Sequence, residues 1–170
     1  MPVRVVVMGP SGSGKSTVGA ALAEALGARF IDGDDLHPLT NVDKMAAGIP
    51  LDDVDRMPWL REVGDALAAD DRVVIACSAL RRVYRDAIRE SAPDAFFAEL
   101  RVGRAELAHR LGGRTDHFMP IALLDSQLQT LEPLEPGERG IRVDPAAVDR
   151  CVEVIREAVT GDAAADQSLR

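Results

Sequence analysis

Val3-Arg4-Val5-Val6-Val7-Met8 runs directly into Gly9-Pro10-Ser11-Gly12-Ser13-Gly14-Lys15-Ser16, and a helix-forming segment follows, stopped by Gly27. The first six residues are β-branched and nearly all apolar, the pattern of a strand covered on both faces in a parallel sheet. The loop fits G-x-x-x-x-G-K-[ST] and stands where that motif works, between a buried strand and a helix. Its glycines let successive N–H groups converge on phosphate oxygens, and the helix turns its positive end toward the same charge. Gly9, Pro10, Ser11, Gly12, Ser13, Gly14, Lys15, Ser16 and Thr17 are therefore expected to hold ATP, with Lys15 on the β and γ phosphates and the Ser16 hydroxyl on Mg²⁺. GTP is disfavoured because no N-K-x-D motif occurs; Asn41-Val42-Asp43-Lys44 has those letters in the wrong order.

Outward from this unit, strand and helix patterns alternate. Residues 28–32, 72–77, 96–102 and 141–143 read as further strands, and 41–47, 59–69, 81–91, 105–111, 120–131 and 145–159 as further helices. Such alternation implies an α/β fold, a parallel five-stranded sheet covered by helices on both faces. The span 33–58 is polar, punctuated by Gly and Pro and too long for a simple connection, which marks it as functional. Residues 161–170 lack apolar periodicity and are expected to form a disordered tail, leaving 1–160 as one domain.

At 170 residues the chain can bury roughly 70% of its unfolded surface in a single core. A net charge of −8 would repel a phosphate backbone, so no nucleic-acid partner is expected. Arg81, Arg82, Arg85 and Arg89 recur at helical spacing with Asp86 and Glu90 between them, the pattern of a solvated helix face, with Arg81 and Arg82 kept as candidate anion ligands. Cys77 and Cys151 have neither metal-ligand spacing nor a disulfide framework. The apolar run 3–8 is too short for a membrane span, so a cytoplasmic protein without membrane contact is expected. Of the 20 basic residues only Lys15 and Lys44 are lysines.

Asp32-Gly33-Asp34-Asp35 closes the second strand, at the sheet edge where open parallel sheets form their ligand crevice. Two carboxylates there can divide the labour of phosphoryl transfer, one holding Mg²⁺ through water and one orienting or deprotonating the acceptor hydroxyl. From here the chain closely resembles the gluconokinase family. The resemblance is carried by Asp32-Gly33-Asp34-Asp35-Leu36-His37-Pro38, Asn41, Lys44-Met45, Gly48, Pro50-Leu51-Asp52, and Asp55-Arg56 with Trp59-Leu60. Ala76-Cys77-Ser78-Ala79-Leu80-Arg81, Tyr84-Arg85-Asp86 and His117-Phe118-Met119-Pro120 with Ser126-Gln127 agree with it.

The resemblance implies a three-layer P-loop NTPase fold similar to nucleoside monophosphate kinases and shikimate kinase, transfer of the ATP γ-phosphoryl to the 6-hydroxyl of D-gluconate, and a homodimer. It makes Asp34 the base or orienting group, Asp32 the holder of the metal's water shell, and Arg56, with Arg81 or His37, the partner of the sugar acid; Lys44 and Ser78 are further candidates. A lid at about 110–118 would bring Arg114 to the transferring phosphoryl and Arg110 to the adenine. Trp59 reads better as core than as ligand. Another kinase of the same fold, acting on shikimate or a nucleotide, and a non-catalytic nucleotide switch stay open at this point.

Overall fold

The computed structural model describes residues 1–112 and 121–168. Strands β1 (Val3–Met8), β2 (Arg29–Asp32), β3 (Arg72–Ala76), β4 (Phe96–Leu100) and β5 (Gly140–Val143) form one parallel sheet in the order β2-β3-β1-β4-β5. The motif-bearing β1 is central, and Val5, Val6, Val7 and Met8 are fully buried.

The helices are α1 (Lys15–Leu26), α2 (Leu39–Ala46), α3 (Asp53–Ala68), α4 (Arg82–Ser91), α5 (Arg104–Gly112), α6 (Ile121–Thr130) and α7 (Val148–Ser168). Alternate side chains of β1 serve opposite layers: Val6 and Met8 pack with Leu60, Val63 and Ile88 of α3 and α4, whereas Val5 and Val7 pack with Leu22 and Ile155 of α1 and α7. A strand that feeds two apolar layers has to be apolar at every position, which accounts for the unbroken run at 5–8. Leu107, Leu111 and Leu124 join α5 to α6 in a third, smaller cluster.

Three expectations are corrected. Helix α3 begins at Asp53, six residues before the apolar pattern at Trp59, because Asp52 and Asp55 form a reciprocal capping box. Pro58 therefore lies inside the helix. Helix α7 continues to Ser168 through the segment expected to be a disordered tail; Ala163, Ala164 and Ala165 favour helix, and Asp162 accepts a hydrogen bond from Arg139 Nε. The arginine face on α4 is not solvated throughout, since Arg85 is fully buried against Glu138, with Nε to Oε1 at 2.7 Å and Nη2 to Oε2 at 2.9 Å.

Helices α3 and α4 approach so closely at Gly64 that an added Cβ would lie 2.7 Å from the Ile88 carbonyl oxygen. Ala gains about 1 kcal/mol over Gly in helix propensity, but a backbone clash of this kind costs about 1–3 kcal/mol and has no flexible atom to absorb it. Gly64→Ala is thus expected to lower Tm, by up to roughly 8 °C, in a thermal melt. A higher Tm would mean that propensity outweighs packing at this crossing.

Candidate active site

Parallel register aligns the functional loops. Asp32 pairs with Ala76 and Ala76 pairs with Val7, so one row crosses β2, β3 and β1. Two residues beyond that row lie Asp34, Ser78 and Gly9, each at the carboxyl edge of its strand. The Gly9 N–H donates to the Ser78 carbonyl at 3.4 Å, tying the glycine loop to the β3 edge.

Gly14 is the N-cap residue of α1, with φ of 90°, a conformation glycine adopts without steric cost. No side chain caps this helix and no acid stands in its first turn, so its leading N–H groups remain for an anion. Ser13 Oγ is buried without a hydrogen-bond partner among the described residues, and it lines a cavity of about 70 Å³ with Gly14, Arg101, Arg110 and Pro145. Arg110, paired with Glu106, donates from Nη1 to the Gly12 carbonyl at 3.0 Å. From α6, Gln127 Oε1 accepts the Ser11 N–H at 2.8 Å. Both helices flanking residues 113–120 thus touch the loop; Arg114 and His117 lie outside the described residues.

Asp32 uses its two oxygens separately. Oδ1 accepts the Asp34 N–H at 3.0 Å and caps the single 3₁₀ turn Gly33–Leu36, while Oδ2 accepts from Ser16 Oγ at 3.4 Å. Capping the turn and facing Mg²⁺ with the Ser16 hydroxyl are therefore compatible in one side chain.

Beyond the loop opens a cleft of about 560 Å³. Lys15, Asp34, His37, Arg56, Ser78 and Gln127 line its polar side, and Met45, Ile49, Leu51 and Leu80 its apolar wall. Lys44 and Arg81 do not line it. Lys44 Nζ is held by both oxygens of Asp55 at 2.8 and 3.0 Å, and Arg81 by Asp53 at 2.9 Å and Glu132 at 3.4 Å.

A family model described as an AAA domain matches residues 5–134. The thermosensitive gluconokinase of Escherichia coli (strain K12) is 44% identical over 144 residues, covering 82% of this chain and 77% of the relative. The crystal structure of a gluconokinase from Sinorhizobium meliloti 1021 is 50% identical with a TM-score of 0.83, covering 99% of this chain and 95% of that one. This chain belongs to the gluconokinase family. Shikimate kinase from Acinetobacter baumannii, 18% identical with a TM-score of 0.60 over 95% of this chain and 94% of its own, shares the fold alone.

Within this family fold, residues that sequence reasoning left out of the site bind its parts together. Tyr84 lines the cleft, accepts from Arg56 Nη1 at 3.1 Å and donates to Asp53 Oδ1 at 2.6 Å. Asp53 is held below the ordinary carboxylate range by that phenol hydrogen bond and by Arg81 and Arg56, against the opposing effect of burial. Trp59 is core, as expected, yet it also lines the cleft: Nε1 donates to the Gly33 carbonyl at 2.8 Å, and its ring stacks on His37 at 4.1 Å. The polar positions Ser126, Gln127 and Thr130 on one side of α6 were the available signal for that wall. Burial pushes the Cys77 thiol up to about 12, which makes it an inert part of the core.

Burial, with Arg56 adding to it and Asp34 opposing, lowers the His37 pKa below its ordinary value of 6.5. The Asn41 amide nitrogen, a donor only, faces Nδ1 at 3.2 Å, so the neutral ring carries its proton on Nε2. His37 therefore enters neutral solutions uncharged. Trp59 is the one tryptophan of the chain, and its emission should titrate with His37, quenched as the ring becomes cationic. A midpoint below pH 6.5, absent in His37→Gln, is the expected result; a midpoint at or above 6.5 would contradict the burial argument.

Proposed function

We propose that this protein transfers the γ-phosphoryl group of ATP to the 6-hydroxyl of D-gluconate, giving 6-phospho-D-gluconate and ADP. The observation that carries the reading is the placement of Lys15, Asp34 and Arg56 around one cleft, with the glycine loop at its inner end. Of the three candidates for the sugar acid's carboxylate, Arg81 lies outside the cleft and His37 is neutral, which leaves Arg56 as the cationic partner. Its planar fork can meet both carboxylate oxygens.

The loop N–H groups and Lys15 hold the phosphates, and Arg110 with Gln127 keeps the loop in shape. Asp34 accepts the proton of the 6-hydroxyl as its oxygen forms the new bond to phosphorus, and the bond to the ADP oxygen breaks. Ser78 and the Nε2–H of His37 orient the remaining hydroxyls, and Arg114 is assigned to the charge on the transferring group. The Ser16 hydroxyl and Asp32 carboxylate are hard oxygen donors 3.4 Å apart, suited to Mg²⁺, which favours few protein ligands and keeps its waters and phosphate oxygens. When bound, that ion neutralises phosphate charge. The homodimer belongs to the same reading through the family resemblance, and the cytoplasmic location through the short apolar run at 3–8; no described helix is long and apolar enough to cross a membrane.

Loss of the carboxylate fork in Arg56→Ala should raise the gluconate KM by about 10²-fold and leave the ATP KM within about threefold. A lost ATP affinity with unchanged gluconate KM would assign Arg56 to the other substrate. The two aspartates separate in a Mg²⁺ series at saturating ATP and gluconate. Asp34→Asn is expected to lower kcat by about 10²–10⁴ at every concentration, while Asp32→Asn recovers in part as Mg²⁺ rises. Rescue of Asp34→Asn with Asp32→Asn inactive throughout would reverse the assignment.

A further inference from the structure

Ala79 has φ of 43° and is the one described non-glycine residue in the left-handed region. It stands between Ser78 and Leu80, which both line the cleft. Each of the three carbonyls in this turn is held by a different part of the molecule. That of Ser78 accepts from the Gly9 N–H at 3.4 Å, that of Leu80 from the Glu132 N–H at 2.6 Å, and that of Ala79 from Arg85 Nη1 at 3.0 Å.

Arg85 is fully buried and can reach the Ala79 carbonyl because the rest of its guanidinium is fixed. Both oxygens of the equally buried Glu138 side chain engage it, and the Pro133 carbonyl accepts from Nη2 at 3.4 Å. Glu138 in turn accepts from Arg89 Nη2 at 2.7 Å and the Glu135 N–H at 2.9 Å. Glu138 stays charged: burial opposes ionisation, but these donors outweigh it and hold the pKa at about 2. Neither member of the pair lines the cleft. Stability alone is a weak reason for such a pair, since an apolar pair of similar volume often serves a core as well.

We propose that Arg85 is a positioning residue of the acceptor site: clamped by Glu138, it holds the Ala79 carbonyl, keeps that residue left-handed, and so sets Ser78 and Leu80 against the acceptor. The proposal rests on the gluconate reading above, and gluconate turnover by the unmodified protein tests that reading by itself.

The variant Arg85→Lys keeps a charge for Glu138 but loses the fork that spans Glu138 and Ala79. The gluconate KM is expected to rise about tenfold, with the ATP KM within about threefold and a lower Tm. Adding Ala79→Gly, which tolerates the left-handed conformation without help, should return the gluconate KM to within about threefold of wild type while Tm stays low. A purely structural pair would not give that rescue. Glu138→Gln retains the shape and one acceptor oxygen; alone and with Ala79→Gly it should show the same split in smaller measure, and it decides the matter if the lysine variant does not fold. A folded Arg85→Lys or Glu138→Gln protein with wild-type gluconate KM, or a double variant whose KM stays as poor as the single's, would overturn the proposal.

Discussion

Parallel register is the constraint on which the site depends. Because Asp32, Ala76 and Val7 share a row across β2, β3 and β1, their strands end at one edge, and the loops that follow emerge side by side. The phosphate loop, the acidic pair and the Ser78 turn therefore meet without any long-range device to gather them. A one-residue slip of β2 would move Asp32 off the Ala76 row and turn its side chain to the other face, away from Ser16. The burial of β1 on both faces guards against such slips, since every residue from Val5 to Met8 has apolar neighbours to lose.

Charge is arranged around that edge in pairs. The chain carries a net charge of −8, yet arginines next to the cleft are tethered to acids that aim them: Arg81 to Asp53 and Glu132, and Arg56 to Tyr84, itself donating to Asp53. Lys44, bound to Asp55, ties α2 to the start of α3. Lys15 and Arg56 thus line the cleft, while Lys44 and Arg81 beside it are held by carboxylates. Neutral His37, stacked on Trp59, adds a hydrogen-bond donor without adding charge.

Much of this was legible in the sequence, because the motif and the strands are local patterns. Val3–Met8 and the glycine loop declared a buried strand and an anion site within fourteen residues, and the alternation of elements led to the parallel sheet. What was not legible depends on partners far along the chain. Arg85 looks like a solvent-facing arginine in its heptad-like run and becomes core only because Glu138, 53 residues later, meets it. Lys44 and Arg81 were reasonable anion ligands until Asp55 and Asp53 claimed them. The start of α3 escaped a search for apolar periodicity because a polar capping box, not a hydrophobic face, begins it. Tyr84 stood in a family-like run but carried no site role there, since its role is to hold Arg56 from a different helix.

The central claim is that a carboxylate-reading cleft stands opposite an ATP loop, and the most direct measurement is acceptor-dependent ADP release with ATP and Mg²⁺. D-gluconate, D-glucose, shikimate and a nucleoside monophosphate would be compared at equal concentrations. The account predicts turnover with gluconate and a kcat/KM at least about 10²-fold lower with glucose, which has the hydroxyls but lacks the carboxylate that Arg56 is placed to bind. Equal use of glucose, or preference for shikimate or the nucleotide, would contradict it.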